Sequence, residues 1–231
     1  MKPIVLLHGW GTVPQVWQAL IDALPNQAFI NLALPGYNNE GSWQAPAAYI
    51  AEQLPQQCHL VGWSLGGNLA MDIAERYPQR IASVSTVAST PSFVATKVWP
   101  HAMQSAVFNT FLDSMRAQPA ITLKRFVGLQ AKGADHERDI NKAMRSLAAS
   151  ASNEVLVDSL DWLGNNQQGE LWQNLGVARQ HIFCGGDALV PVSAAEHCLY
   201  SVVLDDAGHA PMLSKPDELA ALLNKFWAGL E

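Results

Sequence analysis

Six residues, Gly62-Trp63-Ser64-Leu65-Gly66-Gly67, join a short apolar run, His59-Leu60-Val61, to a stretch of helical character from Asn68 to Tyr77 that Pro78 ends. A strand that turns into a helix over so few residues strains the dihedrals of the middle residue and leaves no room beside it, a need that glycines meet. Ser64 is thereby pushed clear of the backbone. A Gly-x-Ser-x-Gly pattern alone is common by chance, and a serine on a glycine-rich turn can simply cap a helix. Its place between a strand and a helix gives the pattern weight.

The rest of the chain repeats that alternation. Ile4 to Leu7 reads as a buried strand, and Trp17, Leu20, Ile21 and Leu24 follow at helical spacing before Pro25-Asn26. Ala28 to Leu34 is a strand stopped by Pro35-Gly36, Ala47 to Leu54 a helix, and Ile81 to Val87 a strand. After Pro91 the pattern changes: no strand is expected between Trp99 and Leu175, where Met103, Val107, Phe111, Leu123, Phe126 and Val127 recur at helical intervals. Strands resume at His181 to Cys184 and Ser201 to Leu204, and Ser214-Lys215-Pro216-Asp217 reads as the capped start of a last helix ending near Trp227. Strands alternating with helices imply an α/β fold, a mostly parallel central sheet flanked by helices. With 231 residues, 49% of them hydrophobic, the chain can bury one large core, so 1–231 is expected to be one domain. Residues of about 99–175 form a helical insertion expected to act as a lid over the sheet's carboxyl edge.

A serine hydroxyl is a weak nucleophile until a base takes its proton, and the base needs a carboxylate to hold its tautomer. His209, in Ala207-Gly208-His209-Ala210-Pro211, lies between the last strand and the last helix. A lone loop histidine is usually a bystander, but this position favours the base. Asp187 follows the strand ending at Cys184, at a carboxyl edge where α/β sites lie, and is the preferred acid. Asp205 and Asp206 are rivals that more naturally cap or face solvent. The oxyanion donors expected in such a site are the N–H after the nucleophile and one from an early loop, which map to Leu65 and Trp10. His8, beside Trp10, reads as structural. A phosphate loop is disfavoured because Gly-Lys-Ser/Thr is absent.

Composition excludes other classes. A net charge of -6 argues against nucleic-acid binding, and no stretch is apolar and long enough to cross a bilayer. The run before His8 is too short for a signal peptide, so a cytoplasmic protein is expected. Cys58, Cys184 and Cys198 are an odd number without metal-ligand spacing, so reduced thiols, no metal and no cofactor are expected. A monomer is expected as well. Charge is uneven: Arg116 to Arg145 holds seven of the 14 basic residues and three acids, which makes that segment +4 and the remainder -10. Such an island is either a solvated helical face or a docking site for an acidic partner.

Leu7-His8-Gly9, the Ser64 turn, the Asp187 loop and Gly208-His209 together resemble the α/β-hydrolase superfamily over nearly the whole chain. Within it, Leu6 to Gly11, Gly62 to Gly67, Thr86 to Pro91, Arg125 to Gln130 and Gly208 to Pro211 resemble the pimeloyl-[acyl-carrier-protein] methyl ester esterases of biotin synthesis. The resemblance implies a serine carboxylesterase in which Trp10 and Leu65 contact the ester carbonyl. It also implies that Phe126, Val127, Gly128, Leu129 and Gln130 line an acyl channel, and that basic lid residues dock an acidic acyl carrier protein. Arg125, Arg138 and Lys142 match that basic set, Arg145 extends the face at helical spacing, and one matching position falls on the uncharged Ile121. Pro35-Gly36-Tyr37-Asn38-Asn39 departs from the usual Pro-Gly-aromatic-Gly-x-Ser turn. Two other readings stay open: a broad esterase or thioesterase for small acyl groups, and a non-catalytic binding protein on the same fold. Serine in place of a carboxylate at position 64 disfavours dehalogenase and epoxide-hydrolase chemistry.

Overall fold

The computed structural model describes residues 2–38 and 41–230, so Asn39 of the Pro35 turn lies outside the described residues. Strands β1 (Ile4–Leu7), β2 (Phe29–Leu32), β3 (Cys58–Trp63), β4 (Ile81–Val87), β5 (Ala178–Cys184) and β6 (Ser201–Leu204) form one sheet ordered β2-β1-β3-β4-β5-β6. Every pairing in it is parallel. Parallel neighbours need long crossovers, and these supply the helices that bury both faces. Alternation along β1 divides the core. Val5 and Leu7 face a cluster with Ile50 of α2 (Pro46–Gln53) and Leu69 and Ile73 of α3 (Leu65–Arg76). Ile4 and Leu6 face the opposite cluster, with Leu20 of α1 (Gln18–Ala23) and Leu219, Leu223 and Trp227 near the C-terminus.

Strand order reverses between β1 and β3: the chain runs outward to β2 on one side and to β4, β5 and β6 on the other. The loops leaving β1 and β3 therefore diverge and open a crevice at the carboxyl edge, where ligands of α/β sheets bind. Trp10 and Ser64 stand on those two loops.

Between β4 and β5 the regular structure is helical: α4 (Ser105–Ala117), α5 (Pro119–Ala131), α6 (Glu137–Ser146), α7 (Asn153–Asn165) and α8 (Gly169–Asn174). Each packs by an apolar stripe, as in α6, where Ile140 and Met144 are buried one turn apart. After β6 come the short α9 (Pro211–Ser214) and α10 (Pro216–Ala228).

The departures from expectation have local causes. β2 ends two residues early because the Leu34 N–H donates to His8 Nε2 at 3.0 Å instead of to the sheet. β5 begins three residues early, at Ala178, and takes in the polar Arg179 and Gln180, which read as non-strand. The Arg179 guanidinium is satisfied by the carbonyls of Trp172, Gln173 and Leu175 at the end of α8, and Gln180 by Ser85 Oγ. Ser214 does not cap the last helix: it ends α9, and its hydroxyl donates back to the Ala210 carbonyl.

Candidate active site

Ser64 occupies the single residue between β3 and α3 with φ 54 and ψ -121, a conformation that costs a non-glycine residue about 1–3 kcal/mol. Its surroundings hold it there. The Ser64 N–H donates to the Val87 carbonyl on β4, and the Ser64 carbonyl accepts from Gly67 N–H, Asn68 N–H and Ser89 Oγ. The flanking glycines are needed for contact: a Cβ on Gly62 would lie 2.2 Å from the Gly66 carbonyl oxygen, and one on Gly66 2.5 Å from the carbonyl oxygens of Leu7 and His8. The Ser64 turn and the β1 loop thus touch backbone to backbone.

Three strand ends bring the predicted catalytic side chains together. His209 Nε2 lies 3.1 Å from Ser64 Oγ, and His209 Nδ1 lies 2.7 Å from Asp187 Oδ2. The imidazole and carboxylate are fully buried, so each keeps its polar atoms satisfied within this chain of groups. Asp187 Oδ1 accepts the N–H groups of Leu189 and Val190 at 2.7 and 3.0 Å, which leaves Oδ2 for the histidine. The rivals Asp205 and Asp206 are exposed.

Trp10 and Leu65 are both buried, and among the described residues neither main-chain N–H donates a hydrogen bond. Leu65 opens α3, where the first N–H groups lack intrahelical acceptors. The β1 loop is fixed from the insertion: Trp10 Nε1 donates to the Leu156 carbonyl at 2.8 Å, Gln130 Nε2 reaches the Trp10 carbonyl at 3.5 Å, and the Phe126 ring meets the Trp10 ring edge-on at 4.9 Å. His8 is structural. Nε2 accepts from Leu34, Nδ1–H donates to the Gly9 carbonyl, and burial lowers its pKa to about 4, so the ring stays neutral.

The five predicted acyl-channel residues diverge around α5. Phe126 and Gln130 are buried against Trp10, whereas Val127 belongs to the opposite core cluster with Ile140 and Met144. Gly128 lies over Asn141, and Leu129 is exposed. Leu129 lines a cleft of about 480 Å³ between α4 and α5, together with Val107, Phe111, Phe126 and Arg125. Arg125, Arg138, Lys142 and Arg145 are exposed and enter no ion pair among the described residues. Also among the described residues, no three His, Cys, Asp or Glu side chains gather as metal ligands, and no helix is long and apolar enough to cross a membrane.

A model of the α/β hydrolase family matches residues 4–222. This chain belongs to the α/β-hydrolase family. It is 34% identical to the pimeloyl-[acyl-carrier protein] methyl ester esterase of Aromatoleum aromaticum, across 95% of this chain and 96% of that protein. It is also 34% identical to the biotin biosynthesis bifunctional protein BioHC of Cellvibrio japonicus, across 98% of this chain but 48% of that longer protein. Among solved structures, an esterase from Exiguobacterium antarcticum superposes with a TM-score of 0.85 at 17% identity, covering 98% of this chain and 91% of that one.

Some supporting residues escaped the sequence reading. The Trp63 indole, at the variable position of the Gly-x-Ser pattern, donates to the His209 carbonyl at 2.7 Å and fixes the loop carrying that histidine. Ser89 braces the Ser64 carbonyl. The available signals were a bulky indole beside the predicted nucleophile and small hydroxyls at the end of a buried strand.

Proposed function

We propose that this chain is a carboxylic ester hydrolase acting through an acyl-enzyme. The observation that carries the reading is the hydrogen-bonded series from Ser64 Oγ through His209 to Asp187, beside the main-chain N–H groups of Trp10 and Leu65, which find no acceptor among the described residues. Asp187 accepts a hydrogen bond from His209 Nδ1–H, which fixes the tautomer and leaves the Nε2 lone pair facing the Ser64 hydroxyl. Ser64 Oγ attacks the ester carbonyl carbon as its proton passes to Nε2. The carbonyl oxygen takes the negative charge and receives the N–H groups of Trp10 and Leu65, a contact worth about 10²–10³ in rate per donor in comparable sites. The C–O bond to the alcohol then breaks, with the proton leaving Nε2 to complete the alcohol. A water deprotonated by the same nitrogen cleaves the acyl-enzyme and releases the acid and free Ser64.

The substrate we favour is the methyl ester of a pimeloyl group on an acyl carrier protein. The names of the relatives support this, and so does the exposed cationic face of α6, which suits an acidic partner. In this reading the helices between β4 and β5 form a lid, with Phe126 and Leu129 beside the apolar cleft for the acyl chain and Arg125 at its rim. The test compares kcat/KM for a carrier-linked pimeloyl methyl ester with that for a short nitrophenyl ester. A clear preference for the carrier-linked ester is expected. Equal values would leave a broad esterase, and failure of a fluorophosphonate to label Ser64 would overturn the enzyme reading.

A further inference from the structure

Two glycines directly precede the proposed acid and base, Gly186 before Asp187 and Gly208 before His209. Both lie against the loop that joins α5 to α6. Gly133 in that loop has φ +79, and a Cβ there would lie 1.9 Å from the Gly186 carbonyl oxygen. Conversely, a Cβ on Gly186 would lie 2.4 Å from the Gly133 carbonyl oxygen, and one on Gly208 2.9 Å from Ala134 N and 3.0 Å from the Lys132 carbonyl oxygen. Main chain rests on main chain at both points. The acid and base loops are themselves joined by the Gly186 N–H donating to the Ala207 carbonyl at 2.9 Å. One residue past Ala134, Asp135 pairs with Lys215 Nζ at 2.8 Å, six residues beyond His209.

We infer that the 132–135 loop is a positioning element for the acid–base pair. Gly133 is exposed and Gly186 half-buried, but at both points main-chain atoms meet with no soft side chain between them to absorb a displacement. Any shift of Gly133 is therefore passed to Gly186 and Gly208, and so to the 2.7 Å contact between Asp187 and His209. This inference rests on the triad reading above. Gly133 touches neither substrate nor reacting atoms and acts only through the pair.

The test is Gly133→Ala, measured on a free short ester that makes no use of a docked carrier. Gly41→Ala is the control: Gly41 has φ +76, but a Cβ there meets only Tyr49, at an ordinary 3.7 Å, so it reproduces the backbone strain without the collision. Gly133→Ala is expected to lower kcat about 10- to 100-fold with KM within about twofold, since a 1 Å misplacement of catalytic groups has effects of that order. Gly41→Ala is expected to retain kcat. In an Asp187→Asn background, Gly133→Ala is expected to add nothing, because residues acting as one unit are not additive. A kcat for Gly133→Ala equal to that of Gly41→Ala overturns the inference, and so does full additivity in the double variant. If Gly133→Ala does not fold, Asp135→Asn replaces it: a kcat loss of about two- to threefold at unchanged KM, of the size expected from releasing one exposed ion pair, supports the inference, and an unchanged kcat overturns it. Full activity in Asp187→Asn alone would instead sink the triad reading.

Discussion

Lowering the pH from 7 to 5 should weaken this fold through two histidines buried in neutral form. Burial lowers the pKa of His8 from 6.5 to about 4. Burial, together with the nearby Arg179 charge, lowers that of His181 to about 3. His8 has no room for a second proton, because Nε2 already accepts the Leu34 N–H and Nδ1–H faces the Gly9 carbonyl. His181 is stacked on Trp172 at 4.1 Å, with Nδ1 on Thr86 and Nε2 buried without a partner among the described residues. In the unfolded chain both rings gain a proton near pH 6.5, whereas in the folded chain neither does until far lower pH. Their contribution is thus fully present above the unfolded value and is lost as pH falls towards the folded values. Between pH 7 and 5 the loss is roughly 2 kcal/mol for each ring, about 4 in all, against a total stability of about 5–15 kcal/mol. Asp135, held below its usual value by Lys215, titrates under this window. Urea midpoints at pH 7, 6 and 5 would measure the loss, and His181→Phe, which keeps a ring against Trp172 but cannot titrate, should remove about half of it. Equal stability at pH 7 and 5, or the same pH slope in His181→Phe, would refute the reasoning.

Ser64→Ala should lower kcat for any ester by about 10⁴-fold or more while the urea midpoint holds, since the hydroxyl carries chemistry rather than packing. Asp187→Asn should lose about 10³- to 10⁴-fold, whereas Asp205→Asn and Asp206→Asn should stay within about twofold of the parent. Reversed severities in the same steady-state assay would assign the acid to the wrong loop. Changing Arg138, Lys142 and Arg145 together to Glu should reduce kcat/KM for a carrier-linked ester about 10-fold or more and spare a free short ester. Added salt should slow the parent on the carrier-linked ester, as exposed charges are screened over about 10 Å at 0.1 M. Equal losses on both substrates would mean disrupted packing of the helices between β4 and β5, and no loss on either would leave a solvated helical face.

The sheet was legible in the sequence because its strands are short runs rich in apolar and β-branched residues bounded by turn or helix signals, and β1, β4 and β6 fall where those runs lie. What escaped was polar residues that the fold satisfies from elsewhere. Arg179 reads as a surface residue until the carbonyl end of α8, a few residues earlier but unmarked in sequence, is seen to receive its guanidinium. Likewise Leu34 reads as strand until a histidine 26 positions earlier takes its N–H.

The predicted catalytic residues stood out for a related reason. Ser64, Asp187 and His209 each follow a strand within a few residues, and a parallel sheet brings such positions to one edge whatever their separation in sequence. No comparable rule orders the insertion. Along an α-helix successive side chains point about 100° apart, so five consecutive residues cannot share one wall. On α5 the spacing of four takes Phe126 and Gln130 to Trp10, while Val127 turns to Ile140 and Met144 and Leu129 to the cleft with Arg125. A contiguous motif therefore marks the helix that meets the β1 loop, and only packing decides which of its residues arrive. The same holds for Gly133, an unremarkable glycine in sequence, whose meaning lies wholly in the two loops it touches.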